Sequence, residues 1–294
     1  MPQPPRSSSY RLRPLPALGP NAHKGTAGRV LCLAGSETMP GAAMLCVRAA
    51  QRGGAGLVAL GCLDENPLRS LPIAAPEAIL IDLQAYTGGW PDALEHFDPH
   101  AVLIGPGLGS TARTRALLEA TLDAVEVPVL VDADGLNVCA DDPELLQRAR
   151  GALVITPHPG EARRMGCELS DEPELRREQA LRLAQRVGGI VCLKGAQTVI
   201  ADAEHAVQNE TGNPGLATAG SGDVLAGLMA AYLARSSTLE ASTWTPFAAA
   251  RAAVHVHGSA GDFAALERGE AALIASDVIE AIGTAQVRFE AHDE

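Results

Sequence analysis

Residues 213–227 read NPGLATAGSGDVLAG, and this stretch decides how the rest of the chain is interpreted. Its first half is rich in Gly and Pro, which excludes a helix or a central strand. From Gly222 onward, apolar residues recur at helical spacing as far as about Leu233. The sequence therefore predicts a glycine loop that opens directly into a helix.

The predicted helix start has the properties of an anion-binding site. The first amides of a helix have no carbonyl partners within it, and the helix dipole places partial positive charge at the same end. Gly220, Ser221 and Gly222 lie at this point, and the two glycines let phosphate oxygens approach the backbone closely. We therefore predict an anion hole formed by Gly220, Ser221 and Gly222.

Asp223 is unusual at this point, because a carboxylate would repel a resting phosphate. One interpretation is an acid in the first helical turn, which stabilises the helix dipole by about 0.3–1 kcal/mol. The other is a general base between the phosphate site and a substrate hydroxyl. Such a base takes the hydroxyl proton as the oxygen attacks a terminal phosphoryl group. The short motif of residues 220–223 leaves both interpretations open.

The composition is that of a large α/β domain with a core of small aliphatic side chains. The chain has 294 residues, of which 47% are hydrophobic and only 3% aromatic. A net charge of −12 argues against a nucleic-acid partner but permits nucleotide binding. The six cysteines form no C-x-x-C pair, which argues against a disulfide framework or a zinc site. No segment is typical of a signal peptide or a membrane span, so we expect a cytoplasmic protein.

Apolar strands alternate with helices along the whole chain, which favours a single layered domain with a mostly parallel sheet. We expect this domain to span residues 19–286. A disordered tail is expected at residues 1–18 and a short C-terminal tail at residues 287–294.

Several predicted strands end in turns that could meet a ligand, because open α/β sheets bind ligands at their carboxyl edge. The acids at 132 and 134 could hold Mg²⁺ or cap a short helix. His158 lies between two prolines that fix the backbone, although a lone His is more often structural. Lys194 is either a solvated charge at a strand end or a contact for phosphate or adenine.

The longer run of residues 209–227 resembles the signature of ribokinase-like small-molecule kinases. It is more similar still to that of the ADP/ATP-dependent NAD(P)H-hydrate dehydratases, with Ala219 where that family usually has Gly. Further motifs extend the resemblance over residues 20–282. In order, they are His23–Gly25, Met39–Ala43, Arg52–Val58, Gly105–Gly109, Asp132–Asn137, Thr156–Glu161, Leu193–Thr198, His257–Asp262 and Ala275–Ile279.

This resemblance implies a ribokinase-like three-layer α/β/α fold with a mostly parallel central sheet. It also implies a hydro-lyase that uses ADP or ATP, with Mg²⁺, to dehydrate the S epimer of NADHX or NADPHX. The family tends to form tetramers, and its partner activity is an NAD(P)HX epimerase. We expect that activity on a separate chain, because the residues before Pro20 leave no room for it.

The resemblance also implies site residues, although it identifies no metal ligands. The hydrate would contact Ala43, Gly107, His158 and Asp223. The nucleotide would contact Lys194, Gly195, Ala196, Gln197, Thr198 and Gly222. Asp223 would be the catalytic base.

Two other functions fit the same sequence features less closely. One is a kinase of a small alcohol or vitamin precursor on the same fold. The other is a nucleotide-binding regulator without catalysis, against which the intact Asp223 and glycine loop argue.

Overall fold

The computed structural model describes residues 12–84, 90–239 and 244–293. The strands are β1 Arg29–Leu33, β2 Leu57–Cys62, β3 Ile79–Asp82, β4 Ala101–Ile104, β5 Val129–Val131, β6 Leu153–Ile155, β7 Ile190–Leu193, β8 Val199–Ala201 and β9 Ala206–Gln208. The helices are α1 Pro40–Arg52, α2 Glu65–Ala74, α3 Trp90–Phe97, α4 Ala112–Ala124, α5 Asp134–Asn137, α6 Pro159–Arg164, α7 Pro173–Val187, α8 Ser221–Ser236, α9 Pro246–Arg268 and α10 Ala275–Asp293.

The strands form one sheet in the order β3-β2-β1-β4-β5-β6-β7-β8-β9. The first seven of these run parallel, whereas β8 and β9 pair antiparallel at one edge. The chain adds strands in one direction from β1 to β3 and then in the other direction from β4. This reversal creates a crevice between the carboxyl ends of β1 and β4, where ligands bind in such sheets.

Helices cover both faces of the sheet, which gives three layers. Side chains alternate along β1, so that Val30 and Cys32 belong to one apolar core and Leu31 and Leu33 to the other. The first core includes α1, α8, α9 and α10, and the second includes α4 and α7. Strands β1, β2 and β4 to β8 are buried on both faces and are nearly continuous apolar runs, whereas the edge strands β3 and β9 are partly exposed. The expected α/β/α architecture is confirmed.

The structure adds elements that the sequence pattern did not predict, namely α2, α3 and β9. It also lengthens two helices. The apolar pattern of residues 247–257 predicts a packed helix. The structure continues this helix to Arg268, because its glycines lie in a buried helix rather than in a turn. The final helix begins at Ala275 and runs to Asp293, so residues 287–293 are helical and not a separate tail.

The proposed N-terminal tail is only partly within the described residues, because residues 1–11 lie outside them. Residues 12–18 have no regular secondary structure, but Leu15 packs against the first core. The guanidinium of Arg235 donates to the carbonyls of Pro16 and Ala17. The domain boundary at residue 19 therefore stays a prediction.

Among the described residues, no helix has the length and apolar character that crossing a bilayer requires. All six cysteines are free thiols, and Cys167 is the one that is not fully buried. Burial raises the pKa of the Cys32 thiol to about 12.

Candidate active site

Helix α8 begins at Ser221, one residue before the predicted start, and two glycines shape this end for different reasons. Gly220 has a φ of 84°, the left-handed conformation that favours glycine, and a Cβ there would collide with the side chain of Leu45. Gly222, by contrast, does not have a positive φ. A Cβ at this position would make only ordinary van der Waals contact with Nζ of Lys194, at 3.4 Å.

Lys194 forms a buried ion pair beside this helix start. Its Nζ donates to Oδ1 of Asp132 at 2.8 Å, and the two side chains are only 18% and 2% exposed. Burial by itself would lower the pKa of Lys194, but the carboxylates of Asp132, Glu161 and Asp223 raise it above its usual value. Lys194 is therefore an ammonium ion held at the N-terminus of α8. The interpretation of Lys194 as a solvated charge at a strand end is excluded.

The pKa of Asp223 is raised from 3.8 to about 6. Burial is the largest cause, the carboxylate of Asp132 adds to it, and the ammonium of Lys194 opposes it. Its value lies close to the pH at which a general base works best, which an ordinary first-turn acid would not require. The raised pKa is what a general base would need, and the role of Asp223 stays a prediction at this point.

His158 and Glu161 form a reciprocal cap at the start of α6. Nδ1 of His158 accepts from the amides of Gly160 and Glu161 at 2.9 and 3.4 Å, while Oε2 of Glu161 accepts from the His158 amide at 2.8 Å. Burial, Lys194 and Arg164 all lower the pKa of His158, so the ring is neutral near pH 7. Its Nε2 then carries the proton, 3.3 Å from Oε1 of Glu161.

The predicted substrate residues Ala43 and Gly107 lie on opposite sides of the crevice between β1 and β4, Ala43 beside Gly35 and Gly107 beside Ala42. The amide of Gly35 donates to the carbonyl of Pro106 at 2.8 Å and joins the two strand ends. Gly107 has a φ of 67°, and a Cβ there would lie 2.8 Å from the Cβ of Ala42. Ala43 itself is fully buried. A ligand in the crevice would therefore meet the partly exposed Ala42 before it could reach Ala43.

Asp134 has a third role that the two sequence interpretations did not include. Its carboxylate accepts from the Gly109 amide at 2.8 Å, from Oγ of Ser110 at 2.9 Å and from Nδ2 of Asn137 at 3.3 Å. It therefore holds the glycine turn after β4, whereas the residue before α5 is Ala133, without a side-chain cap. Within the described parts of the chain, no three His, Cys, Asp or Glu side chains are grouped to hold a metal ion.

The predicted nucleotide residues 194–198 form the turn between β7 and β8. Gly195, Ala196 and Gln197 are exposed, whereas Lys194 points back towards Asp132. A guanidinium nitrogen of Arg176, from α7, donates to the Lys194 carbonyl at 2.7 Å and so holds the start of this turn. This arrangement gives an exposed surface that continues from the Lys194 ammonium.

The structure thus brings Gly222, Asp223 and Lys194 together with Asp132 and Glu161. The sequence offered Asp132 only as a Mg²⁺ ligand or a helix cap, and it did not predict Glu161 as a site residue. Asp132 directly follows β5, and Glu161 lies in the first turn of α6, but their partners come from other strands. His257 and Asp262 were also missed. Their only sequence signal was the family-like motif of residues 257–262.

A family model described as Carb_kinase, NAD(P)H-hydrate dehydratase, matches residues 30–283. The chain belongs to this family. The "ADP-dependent (S)-NAD(P)H-hydrate dehydratase" of Neisseria meningitidis serogroup B is 35% identical over 268 residues, which cover 89% of this chain and 86% of that protein. A "Bifunctional NAD(P)H-hydrate repair enzyme" of Moorella thermoacetica is 39% identical over 90% of this chain. The chain spans about half the length of such bifunctional relatives, 50% in this case.

Solved structures show the same fold. The ADP/ATP-dependent NAD(P)H-hydrate dehydratase of Bacillus subtilis, co-crystallised with ATP and Mg²⁺, superposes with a TM-score of 0.79 at 32% identity. The match covers 94% of this chain and 95% of the Bacillus chain. A ribokinase-like superfamily protein from Enterococcus faecalis gives a TM-score of 0.78 at 24% identity, which supports the fold alone. The dehydratase-family chain therefore has the ribokinase-like fold that its sequence predicted.

Proposed function

We propose that this chain dehydrates the S epimer of NADHX or NADPHX, with ADP or ATP as the phosphoryl donor. The observation that carries the proposal is Asp223. Its pKa of about 6 combines with a position in the first turn of α8, beside the Lys194 ammonium. Asp223 can therefore take a hydroxyl proton close to the helix start at residues 220–222, where phosphate would bind. We call this helix start the phosphate seat. The names of the Neisseria and Bacillus relatives support the same reaction.

In the proposed reaction, Asp223 removes the proton of the hydrate hydroxyl as that oxygen bonds to the terminal phosphorus of the nucleotide. The bond between this phosphorus and the bridging oxygen breaks, and AMP leaves if the donor is ADP. The ring nitrogen then expels the new phosphate, and loss of a proton from the adjacent ring carbon restores the dihydronicotinamide. The net products are NADH, AMP and inorganic phosphate.

The helix start stabilises the charge that develops on the phosphoryl oxygens. The amides at residues 220–222 are at the positive end of α8, and Lys194 adds a full positive charge beside Gly222. The Lys194–Asp132 pair keeps this ammonium at a fixed place. The exposed turn of residues 195–198 continues from it and provides a surface for the rest of the nucleotide.

The donor set is suited to Mg²⁺ that arrives with the nucleotide. Mg²⁺ usually binds substrate phosphates, waters and only one or two carboxylates. Asp132, a buried carboxylate beside Lys194, could supply one such ligand. Bound there, the ion would neutralise charge on the phosphate oxygens.

The hydrate would lie with its hydroxyl at Asp223 and extend towards the crevice between β1 and β4, near Gly107 and α1. His158 could present its exposed ring to the same ligand, although its Nδ1 is occupied by the α6 cap. An epimerase acting before this step would supply the S epimer. Assembly into a homotetramer stays a prediction, which light scattering would test.

The decisive experiment supplies purified protein with NADHX, ADP and Mg²⁺ and follows the absorbance of NADH. We expect one AMP and one inorganic phosphate for each NADH formed, without an accumulating phosphorylated substrate. Asp223→Asn is the matched control, and we expect it to lower turnover by about 10²–10⁴ while nucleotide binding is kept. A stable phosphoester, or no NADH with either ADP or ATP, would instead indicate the small-alcohol kinase.

A further inference from the structure

The loop of residues 209–220, which leads into α8, is not fixed by regular secondary structure. Its only helical element is a single 3-10 turn at Pro214–Leu216. Loop residues without ladder or helix hydrogen bonds need other partners to hold one conformation. In this protein several of those partners lie on α9.

Asp262 of α9 binds the loop at two adjacent points. One carboxylate oxygen accepts from the Gly212 amide at 2.9 Å, and the other accepts from Nδ2 of Asn213 at 3.0 Å. Oδ1 of Asn213 in turn accepts from the Gly215 amide at 2.9 Å. These three hydrogen bonds set the direction of the chain as it enters the glycine segment before α8.

The rest of the same helix face fits closely against the loop. Oγ1 of Thr211 donates to the carbonyl of His255 at 2.9 Å. A Cβ at Gly258 would collide with Thr211, and a Cβ at Gly261 would lie 2.7 Å from the Leu216 side chain. Positions 255, 258 and 262 recur at helical spacing, so one face of α9 forms the support.

His257 extends this support to the first residue of α8. Its Nε2 lies 3.0 Å from the carbonyl oxygen of Ser221, to which only a protonated nitrogen can donate. The ring is buried, and burial lowers the pKa of His257 to about 4. The imidazole is therefore neutral at working pH, with its proton on the nitrogen that faces Ser221.

We propose that Asp262, assisted by His257, is a positioning residue that holds the loop of residues 209–220 and the start of α8 in the conformation that binds phosphate. The proposal rests on the proposed function only in its assumption that the ligand is a nucleotide. Neither side chain touches the reacting atoms. Asp262 acts through the Gly212 amide and the Asn213 side chain, and His257 acts through the Ser221 carbonyl.

Exchanging the two side-chain types tests this geometry. In Asp262→Asn, the new amide nitrogen faces either the Gly212 amide or the Asn213 amide, so two donors meet. If Asn213 turns over to avoid this, it gives up its bond from Gly215. In the double variant Asp262→Asn with Asn213→Asp, the amide at 262 accepts from Gly212 and donates to the carboxylate at 213, which still accepts from Gly215. All three hydrogen bonds are restored.

We expect Asp262→Asn to weaken ADP or ATP binding about tenfold to hundredfold, the range for losing a hydrogen bond to a charged group. Calorimetry measures this affinity. Hydrogen exchange of residues 209–222 should become faster in the same variant, whereas exchange of the β4 and β5 amides should not change. The double variant should recover both properties beyond either single variant, which is the signature of direct coupling.

Asp277→Asn is the matched control, because Asp277 accepts from the Ile274 amide at the start of α10, outside the loop. We expect it to leave nucleotide affinity and exchange of residues 209–222 unchanged. The proposal is overturned if Asp262→Asn matches the wild type in both measurements. It is equally overturned if the double variant recovers neither nucleotide affinity nor slow hydrogen exchange of residues 209–222 relative to the single variants. A wild-type protein that binds no nucleotide would refute the proposed function instead, since hydrogen exchange still reports on the loop.

Discussion

Replacing Lys194 with Met would separate the stabilising role of its ion pair from its role at the phosphate seat. Met is similar in length but has no charge, so Asp132 would remain 2% exposed without a counterion. Removing one partner of a buried pair costs about 3–5 kcal/mol. Because Lys194 is itself 18% exposed, we expect the lower end, about 3 kcal/mol. In a domain of this size that corresponds to a fall in Tm of about 6 °C.

The second variant, Lys194→Met with Asp132→Asn, removes the stranded charge as well. We expect the Tm to rise most of the way back to the wild-type value, because a neutral amide is less costly to bury than a carboxylate. Nucleotide affinity should stay low in both variants, since neither has a cation beside Gly222. Thermal unfolding and calorimetry on the same samples measure the two effects.

Two results would refute this reasoning. If the single variant melts within about 2 °C of the wild type, Asp132 is not held by Lys194 as the structure describes. If nucleotide affinity returns together with stability in the double variant, the Lys194 charge does not contribute to the phosphate seat.

The remaining predictions concern Asp223 and the glycines of the α8 start. The rate of dehydration should fall on acidification through about pH 6, since Asp223 must be ionised to act as a base. In Lys194→Met this decrease in rate should occur at higher pH, because the ammonium of Lys194 lowers the pKa of Asp223. The raised pKa of Asp223 means that the stability it confers is complete below about pH 3.8 and is lost as pH rises through about 6. Asp223→Asn should therefore melt higher than the wild type at pH 8 but not at pH 4; an equal Tm at pH 8 would contradict this. Gly222→Val should weaken nucleotide binding with little change in the Tm of the free protein, because a Cβ there makes only ordinary contact with Lys194. Gly220→Ala should lower the Tm itself, owing to its φ of 84° and the collision with Leu45, so a similar Tm for both variants would be evidence against these separate roles.

Sequence by itself determined the fold class and the place where a glycine loop opens into a helix. The apolar runs at residues 101–104, 153–155, 190–193 and 199–201 predict strands, and the structure has β4, β6, β7 and β8 at these bounds. Short buried strands between Gly and Pro turns are strongly patterned. The glycine loop and Asp223 are local in the chain, so their spacing alone placed them at a helix start. Motif order over residues 20–282 then predicted the family, which the comparisons confirm.

Only the tertiary structure decided what surrounds Asp223. Asp132 follows β5 and Lys194 follows β7, and nothing in either segment indicates that the two side chains pair. The raised pKa of Asp223 likewise depends on burial and on a charge from another strand. Asp134 was expected to cap a helix or bind Mg²⁺, but it holds the turn after β4, because that turn folds back over the end of β5.

The same limit explains the support of the loop by α9. The pattern of residues 257–262 is visible in the sequence, yet the role of Asp262 arises only when α9 packs beside residues 212 and 213. Sequence periodicity specifies which residues share a helix face, because it depends on local backbone geometry. Which other segment that face meets is set by the packing of the whole core, and no local pattern encodes it.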